Sequence, residues 1–156
     1  MLLNCNFIEL FNFSGHYAKY GESVMIKKIS SGRPWETIAG YSRAVRVGPI
    51  VEIGLTSPSS ENGTILHNGD VYAQTKLALE IISKALSEVG ASLDDVIKTN
   101  IMMLDTRKWA DAGKAHAEVL GIAKPALSFV GVSNFFDPLI EVEVEVTAFL
   151  PEKQSS

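Results

Sequence analysis

Residues 140–149 read Ile-Glu-Val-Glu-Val-Glu-Val-Thr-Ala-Phe, and their apolar and polar side chains alternate. Because successive side chains of a β-strand point to opposite faces, this pattern predicts a strand with one buried face and one polar face. The polar face carries Glu141, Glu143 and Glu145. Mutual repulsion should raise the pKa of the middle carboxyl, Glu143, and a carboxyl that holds a proton near neutrality suits acid–base catalysis. A solvated outer face is the plain alternative, and spacing alone does not separate the two.

Strand and helix patterns alternate along the rest of the chain. The predicted strands cover 24–29, 44–47, 50–56, 96–104, 128–132 and 141–149, the predicted helices cover 70–89 and 107–120, and 35–41 is expected to be a loop. Asp70 and Gly90 suit the two ends of the first helix, and Trp109, Ala112 and His116 belong to the expected core stripe of the second. The order β-β-β-α-β-α-β-β predicts a two-layer α/β domain with a mixed six-stranded sheet and both helices on one face. Closed oligomerisation would bury the other face, which includes Phe149.

The length of 156 residues fits one domain, expected over 24–151, with an N-terminal extension at 1–23 and a short tail at 152–156. Met25, just before the first predicted strand, is an alternative start. The first residues do not fit a signal peptide, because they lack a basic segment and include Glu9. A single cysteine, Cys5, excludes an internal disulfide and favours a cytoplasmic location.

The composition argues against several classes of partner. A net charge of −4 without a Lys/Arg cluster argues against nucleic acid, and the apolar runs are too short for a membrane span. The three histidines, His16, His67 and His116, lie far apart, so no metal is expected, and His116 is expected to be a core residue. Three arginines near the first strands, Arg33, Arg43 and Arg46, are either surface charges or cations for an anionic substrate.

Several sequence blocks, in their order and spacing, resemble the YjgF/Rid (reactive intermediate deaminase) family, also called L-PSP endoribonucleases or translation initiation inhibitors. The blocks are Ile38–Gly48, Val96–Thr99, Asp105, Lys124–Ala126 and Val142–Glu145, and the resemblance covers about residues 25–150. It implies a chorismate-mutase-like fold and a homotrimer with a central barrel and three clefts between subunits. The best-studied members hydrolyse imines and enamines derived from amino acids to ammonia and a 2-keto acid, without a metal or organic cofactor.

The resemblance also implies roles for individual residues. Glu143 matches the glutamate that positions water or supplies a proton, and Tyr41 matches the tyrosine that helps to close the cleft. The arginine that clamps the substrate carboxylate is Leu127 here, and the frequent cysteine two residues later is Phe129. The Ser-Gly pair that usually ends the third strand reads Gly54-Leu55, followed by Thr56. Backbone groups near residues 127–129 and 54–56 are expected to orient the ligand. Arg43, Arg46 or a cation of another subunit is the expected substitute if the ligand is anionic.

Replacement of the arginine changes the expected substrate, because leucine cannot make a bidentate, charge-assisted contact. Its loss should remove about 2–5 kcal/mol of anchoring for an anionic substrate. The leading hypothesis is therefore a hydrolase that deaminates a neutral or less polar imine or enamine, with Glu143 and Tyr41 as catalytic residues. One alternative is a non-catalytic metabolite-binding or regulatory trimer, which the leucine favours. Endoribonuclease activity rests only on the family's naming, and the acidic composition weighs against it.

Overall fold

The alternating segment at the C-terminal end forms a strand in the middle of a mixed sheet. The computed structural model describes residues 16–19 and 22–150. In chain order the strands are β1 (His16–Lys19), β2 (Glu22–Ile29), β3 (Ala44–Val47), β4 (Ile50–Thr56), β5 (Val96–Met103), β6 (Ala126–Gly131) and β7 (Val142–Phe149), and the helices are α1 (Pro34–Ala39), α2 (Val71–Glu88) and α3 (Trp109–Leu120). Short 3-10 turns at Leu93–Asp95 and Thr106–Lys108 precede β5 and α3.

The sheet order is β1-β2-β3-β4-β7-β5-β6. Neighbouring strands are antiparallel except for β5 and β6, which are parallel. All six predicted strands and both predicted helices are present in the predicted order, so the predicted mixed α/β fold is confirmed. A seventh strand, β1, comes from the predicted N-terminal extension and pairs with residues 22–25 of β2. Cys5 and the predicted tail at 152–156 lie outside the described residues, and the domain limits stay a prediction.

The apolar face of β7 builds the core, as its alternation predicts. Val142, Val144, Val146 and Ala148 are at most 2% exposed and join β4, β5 and both long helices in one cluster. Complete burial of each valine side chain contributes roughly 1.5–3 kcal/mol. The predicted start of α2 is confirmed, since the Asp70 side chain accepts a hydrogen bond from the Ala73 amide at 2.9 Å. None of the described helices has the length and hydropathy to cross a membrane.

The expected loop at 35–41 is wrong, because Pro34–Ala39 forms α1. Proline fixes a helical φ at the first helical position, and Gly40 ends the helix with a φ of 68°. Glu36 secures the helix, since its carboxylate accepts hydrogen bonds from the hydroxyls of Ser30 and Ser31. Pro34 and Gly40, which are also common in loops, thus mark the two ends of a short helix.

The predicted core stripe of the second helix is partly wrong. Trp109 is 56% exposed, because α3 begins only there, and its ring meets that of Phe129 edge to face at 6.1 Å. Ala112 and Leu120 are buried, and so is His116, as predicted. Burial lowers the pKa of His116 and thus favours its neutral form.

Arg46 connects the sheet to α2. Its Nη1 donates to the Val89 carbonyl at 2.7 Å and its Nε to the Gly48 carbonyl at 3.0 Å. A cation beside the last carbonyls of a helix is stabilising. Arg46 therefore has a structural role in this chain and does not line the pocket described below.

The face of the sheet opposite the helices stays partly apolar. Ile50 and Phe149 pair across β4 and β7 and are 36% and 43% exposed. A polar cleft of about 230 Å³ lies on the same face, beside Lys98, Asn100 and Glu145. Exposed apolar side chains on the sheet are what the expectation of oligomerisation requires.

Gln74 links α2 to the segment that leads into β7. Its side chain is fully buried, and its Nε2 donates to the carbonyls of Leu66 at 3.1 Å and Leu139 at 2.8 Å. Its Oε1 accepts a hydrogen bond from the Glu141 amide at 2.9 Å. One amide side chain thus satisfies three backbone groups. One of them, the Glu141 amide, lies directly before β7, the strand that carries Glu143.

We expect Gln74→Leu to lower the free energy of unfolding by about 2–4 kcal/mol, because three backbone groups lose the partner that Gln74 gives them in the described structure. The matched control is Thr75→Val, since Thr75 is equally buried but bonds only to the Val71 carbonyl of its own helix. Urea unfolding measures both, and equal losses in the two variants would contradict the role given to Gln74.

Candidate functional site

A pocket of about 440 Å³ lies where α1, the end of β4 and β7 meet. Its polar lining consists of Arg33, Arg43, Thr56, Ser57, Ser59 and Glu143. Its apolar lining consists of Trp35, Ile38, Ala39, Tyr41, Leu55 and Phe136. The pocket thus combines two cations, one carboxyl and several large apolar groups, a composition typical of a small-molecule site.

Glu143 is one of the residues that line this pocket. Its place on the polar face of β7 points the side chain away from the core, yet it is only 6% exposed. The Ser57 hydroxyl, just beyond β4, donates a hydrogen bond to its Oε1. The alternative that Glu143 lies on a solvated outer face of the strand is therefore wrong.

Burial raises the pKa of Glu143, while the hydrogen bond from Ser57 and the charge of Arg43 partly offset that effect. The predicted direction is confirmed, but the predicted cause, repulsion along the strand, is wrong. Glu141 accepts a hydrogen bond from Lys108 at 2.7 Å, and Glu145 accepts one from Asn100 at 2.7 Å. Both neighbours thus face other partners, and low dielectric dominates at the middle carboxyl.

Arg43 organises the wall of the pocket. Its Nη1 donates to Thr56 Oγ1 at 2.9 Å and to the carbonyls of Leu55 at 3.1 Å and Gly54 at 3.3 Å. These carbonyls converge because the pairing of β4 with β7 shifts register between Ile53 and Thr56. Nη2 donates to the Tyr41 hydroxyl at 3.1 Å, which fixes the tyrosine at the pocket edge. The buried Nε has no partner among the described residues.

Arg33 is the second cation of the pocket and is only 8% exposed. Its Nε donates to Ser59 Oγ at 3.0 Å and its Nη2 to the Ser59 carbonyl at 2.9 Å. Burial and the nearby charge of Arg43 lower the pKa of Arg33, although a guanidinium stays protonated near neutrality. In the described part of the chain, neither Arg33 nor Arg43 forms a salt bridge with a carboxylate.

The structure brings most of the predicted site residues together. Tyr41, Arg43, Leu55, Thr56 and Glu143 all line the pocket, and the Gly54 carbonyl holds Arg43. These residues come from three separate segments of the sequence.

Leu127 and Phe129 do not join that pocket within one chain. They lie on the edge strand β6, and β5 separates β6 from β7. Phe129 packs against Trp109 of α3, and Leu127 is 39% exposed. The expectation that these two residues form the pocket wall is therefore not met by a single copy of the chain.

Sequence reasoning missed Ser57, Ser59, Trp35 and Phe136 as pocket residues. None of them belongs to a periodic pattern, and their nearest signals are the turn residues Pro58 and Pro138. Only the tertiary pairing of β4 with β7 places Ser57 on Glu143. In the described ranges, no three His, Cys, Asp or Glu side chains come together to hold a metal ion.

The raised pKa of Glu143 predicts how stability depends on pH. The folded state holds this proton more tightly than the unfolded chain, so this group costs stability as pH rises above the ordinary value of 4.5. Glu143→Gln removes that cost and keeps an amide that accepts from Ser57. We expect the stability of the variant relative to the original protein to increase over the pH range that begins at the ordinary value of 4.5 and extends upward, as urea unfolding measures it. A relative stability that decreases over this range would contradict the raised pKa.

Comparison with known proteins gives consistent matches. The family model described as Endoribonuclease L-PSP matches residues 32–150. A RutC family protein of Pyrococcus abyssi is 38% identical over 108 residues, which are 68% of this chain and 84% of that protein. The 3-aminoacrylate deaminase RutC of Acinetobacter baylyi is 34% identical over 106 residues, 67% of this chain and 84% of that protein.

A solved structure gives the same answer for the fold. The crystal structure of a member of the YjgF/YER057c/UK114 family from Mycobacterium tuberculosis matches with a TM-score of 0.73 and 38% identity. The match covers 80% of this chain and 99% of that one. The chain therefore belongs to the L-PSP endoribonuclease family, also known as the YjgF/Rid family.

Proposed function

We propose that this protein is a deaminase that hydrolyses a small imine or enamine to a carbonyl compound and ammonia. The observation that carries the proposal is the buried Glu143 carboxyl, whose pKa is raised inside a pocket that also holds two cations. Perturbed carboxyls in clefts are typical of acid–base sites. The name of the related 3-aminoacrylate deaminase supports this class of reaction.

The chemistry requires a group that both takes up and returns a proton. In the proposed reaction the Glu143 carboxylate accepts a proton from water while the water oxygen bonds to the imine carbon. The same proton then passes to the nitrogen, which gives a carbinolamine. Glu143 next takes the hydroxyl proton of this intermediate and delivers it to the nitrogen as the C–N bond breaks, so that ammonia leaves and the carbonyl forms. For an enamine, a carboxylic acid first protonates the β-carbon to give the iminium. A raised pKa populates both protonation states closer to neutrality, which favours these transfers.

The residues around Glu143 have supporting roles in this proposal. Ser57 orients the carboxyl through its hydrogen bond, and Tyr41 covers the ligand from the pocket edge. Arg43 holds Tyr41 and the carbonyls of Gly54 and Leu55 in place, so that the pocket is preorganised before the ligand binds.

We also propose that the functional unit is a homotrimer with one cleft between each pair of subunits. The exposed Ile50 and Phe149 on the open sheet face support an assembly that buries this face. In such an assembly β6 of a neighbouring copy brings Leu127 and Phe129 to the pocket mouth, and the apolar Leu127 alters the substrate range. Light scattering that gives the mass of a monomer would contradict this assembly. The cytoplasmic location stays a prediction.

A non-catalytic metabolite-binding trimer is the second candidate. Leu127 favours it, because the clamping arginine of the best-studied members is missing at this position. A ligand that raises the melting temperature without being turned over would support this candidate over the deaminase.

We expect Glu143→Gln to lower the rate of ammonia release by at least about 100-fold, because acid–base groups contribute about 10²–10⁴-fold to rates. Imines are generated in the assay by an amino-acid oxidase, and the panel includes neutral imines. Glu145→Gln is the matched control, since Glu145 lies on the same strand but outside the pocket. It should keep nearly full activity. If no imine is hydrolysed faster by the original protein than by Glu143→Gln, the deaminase proposal fails.

A further inference from the structure

The pocket contains more buried positive charge than its own carboxylates neutralise by direct contact. Arg33 and Arg43 are 8% and 5% exposed, and neither forms a salt bridge among the described residues. The Glu36, Glu61 and Glu143 carboxylates act on them only from a longer distance. Glu36 is moreover occupied by its hydrogen bonds from Ser30 and Ser31. Buried cations without a paired anion are costly, and an anionic ligand would remove that cost.

The two guanidinium groups differ in what they can offer a ligand. Arg43 uses both terminal nitrogens on Thr56, Tyr41 and backbone carbonyls. Arg33 is held by Ser59 through Nε and Nη2, and its Nη1 has no hydrogen bond to a described residue. A guanidinium fixed on one edge and open on the other is preorganised for a carboxylate. Arg33 is therefore the better anchor.

The mouth of the same pocket is apolar and aromatic. The rings of Trp35 and Phe136 meet edge to face with their centroids 5.2 Å apart. Phe136 is 63% exposed and Ile38 is 82% exposed, although both line the pocket. Gly63, with a φ of 88°, lies so close to Trp35 that a Cβ there would come within 3.3 Å of the indole. Gly63 thus packs against the indole of Trp35, and the part of the indole that lines the pocket is available to a ligand.

We propose that the substrate carries both a carboxylate and an aromatic or branched apolar side chain. Arg33 Nη1 binds the carboxylate, and the side chain packs on Trp35, Phe136 and Ile38. The proposal rests on the proposed deaminase function, and it makes the substrate an imine or enamine of a large apolar 2-amino acid. The anchor missing at Leu127 is then supplied from another segment of the chain, next to α1.

The first test is calorimetric binding of three non-reacting probes to the full chain. Phenylpyruvate has both groups, pyruvate has only the carboxylate, and 3-phenylpropionamide has only the ring. We expect phenylpyruvate to bind at least about 10-fold more tightly than either of the others, since each group contributes on its own. Pyruvate or the amide binding as tightly as phenylpyruvate would overturn the proposal.

Two variants test which residues bind the carboxylate and the ring of phenylpyruvate. Arg33→Gln should weaken phenylpyruvate binding about 10- to 100-fold, the value of a charge-assisted hydrogen bond. The control is Arg107→Gln, which makes the same change in charge at an exposed arginine bonded to Asp105 outside the pocket. Equal affinities in these two variants would overturn the role of Arg33. Phe136→Ala should remove the preference for phenylpyruvate over pyruvate and leave pyruvate binding unchanged, and it tests the proposal even if Arg33→Gln does not fold.

Turnover separates this proposal from the proposed function. Imines of phenylalanine and leucine should be hydrolysed at least about 10-fold more efficiently than the imine of alanine, in line with the binding energy of a large apolar group. An equal rate for alanine overturns the selectivity but leaves the deaminase intact. Binding that depends on Arg33 without turnover of any imine overturns the deaminase but leaves the selectivity intact.

Discussion

The hydrogen bond from Ser57 to the buried carboxyl of Glu143 connects the two halves of this molecule. This hydrogen bond forms because Glu143 lies on the face of β7 that points away from the core, and because the pairing of β4 with β7 shifts register just before Ser57. The same irregularity gathers the carbonyls that hold Arg43, and Arg43 in turn fixes Tyr41. The core and the site thus depend on a single pair of strands.

Charge balance gives the pocket its chemical character. A carboxyl at 6% exposure lies beside one buried guanidinium and shares the pocket with a second. Water would screen these charges at the surface, but in a low-dielectric pocket the charge of Arg43 lowers the pKa of Arg33 and opposes the rise that burial gives the pKa of Glu143. Such an arrangement is expensive for folding alone, which is why we attribute it to a ligand and its reaction rather than to stability.

Much of the fold could be predicted, because its main elements carry strong local patterns. The period of two at 140–149 and the helical stripe of α2 with its Asp70 cap identify the central layers without tertiary information. The two wrong predictions of structure concern a short helix, α1, and the first residue of a longer one, α3. Pro34 and Gly40 are equally good signals for a loop and for the two ends of a six-residue helix. Trp109 reads as core until the starting point of α3 is known.

The site was less predictable, because the sequence identifies the ionisable side chains but does not report how deeply they are buried or what they contact. Glu143 and Tyr41 were identified by position in the pattern and by resemblance, but the cause of the raised pKa is burial, which spacing does not report. Ser57, Ser59 and Phe136 lie in connections whose path only the folded chain defines. The role of Leu127 could not be predicted for another reason. In one copy of the chain it lies on the edge strand β6, away from the pocket, and its contacts in an assembly depend on the neighbouring copies.

The most direct test of this account is an NMR titration of the Glu143 side-chain carboxyl carbon in the full chain, with the signal assigned by its absence from Glu143→Gln. We predict a titration midpoint above the ordinary glutamate value of 4.5, because burial opposes the charged form. A midpoint at or below 4.5 would mean that the carboxyl is ionised like a surface group. That result would contradict the proposed acid–base site.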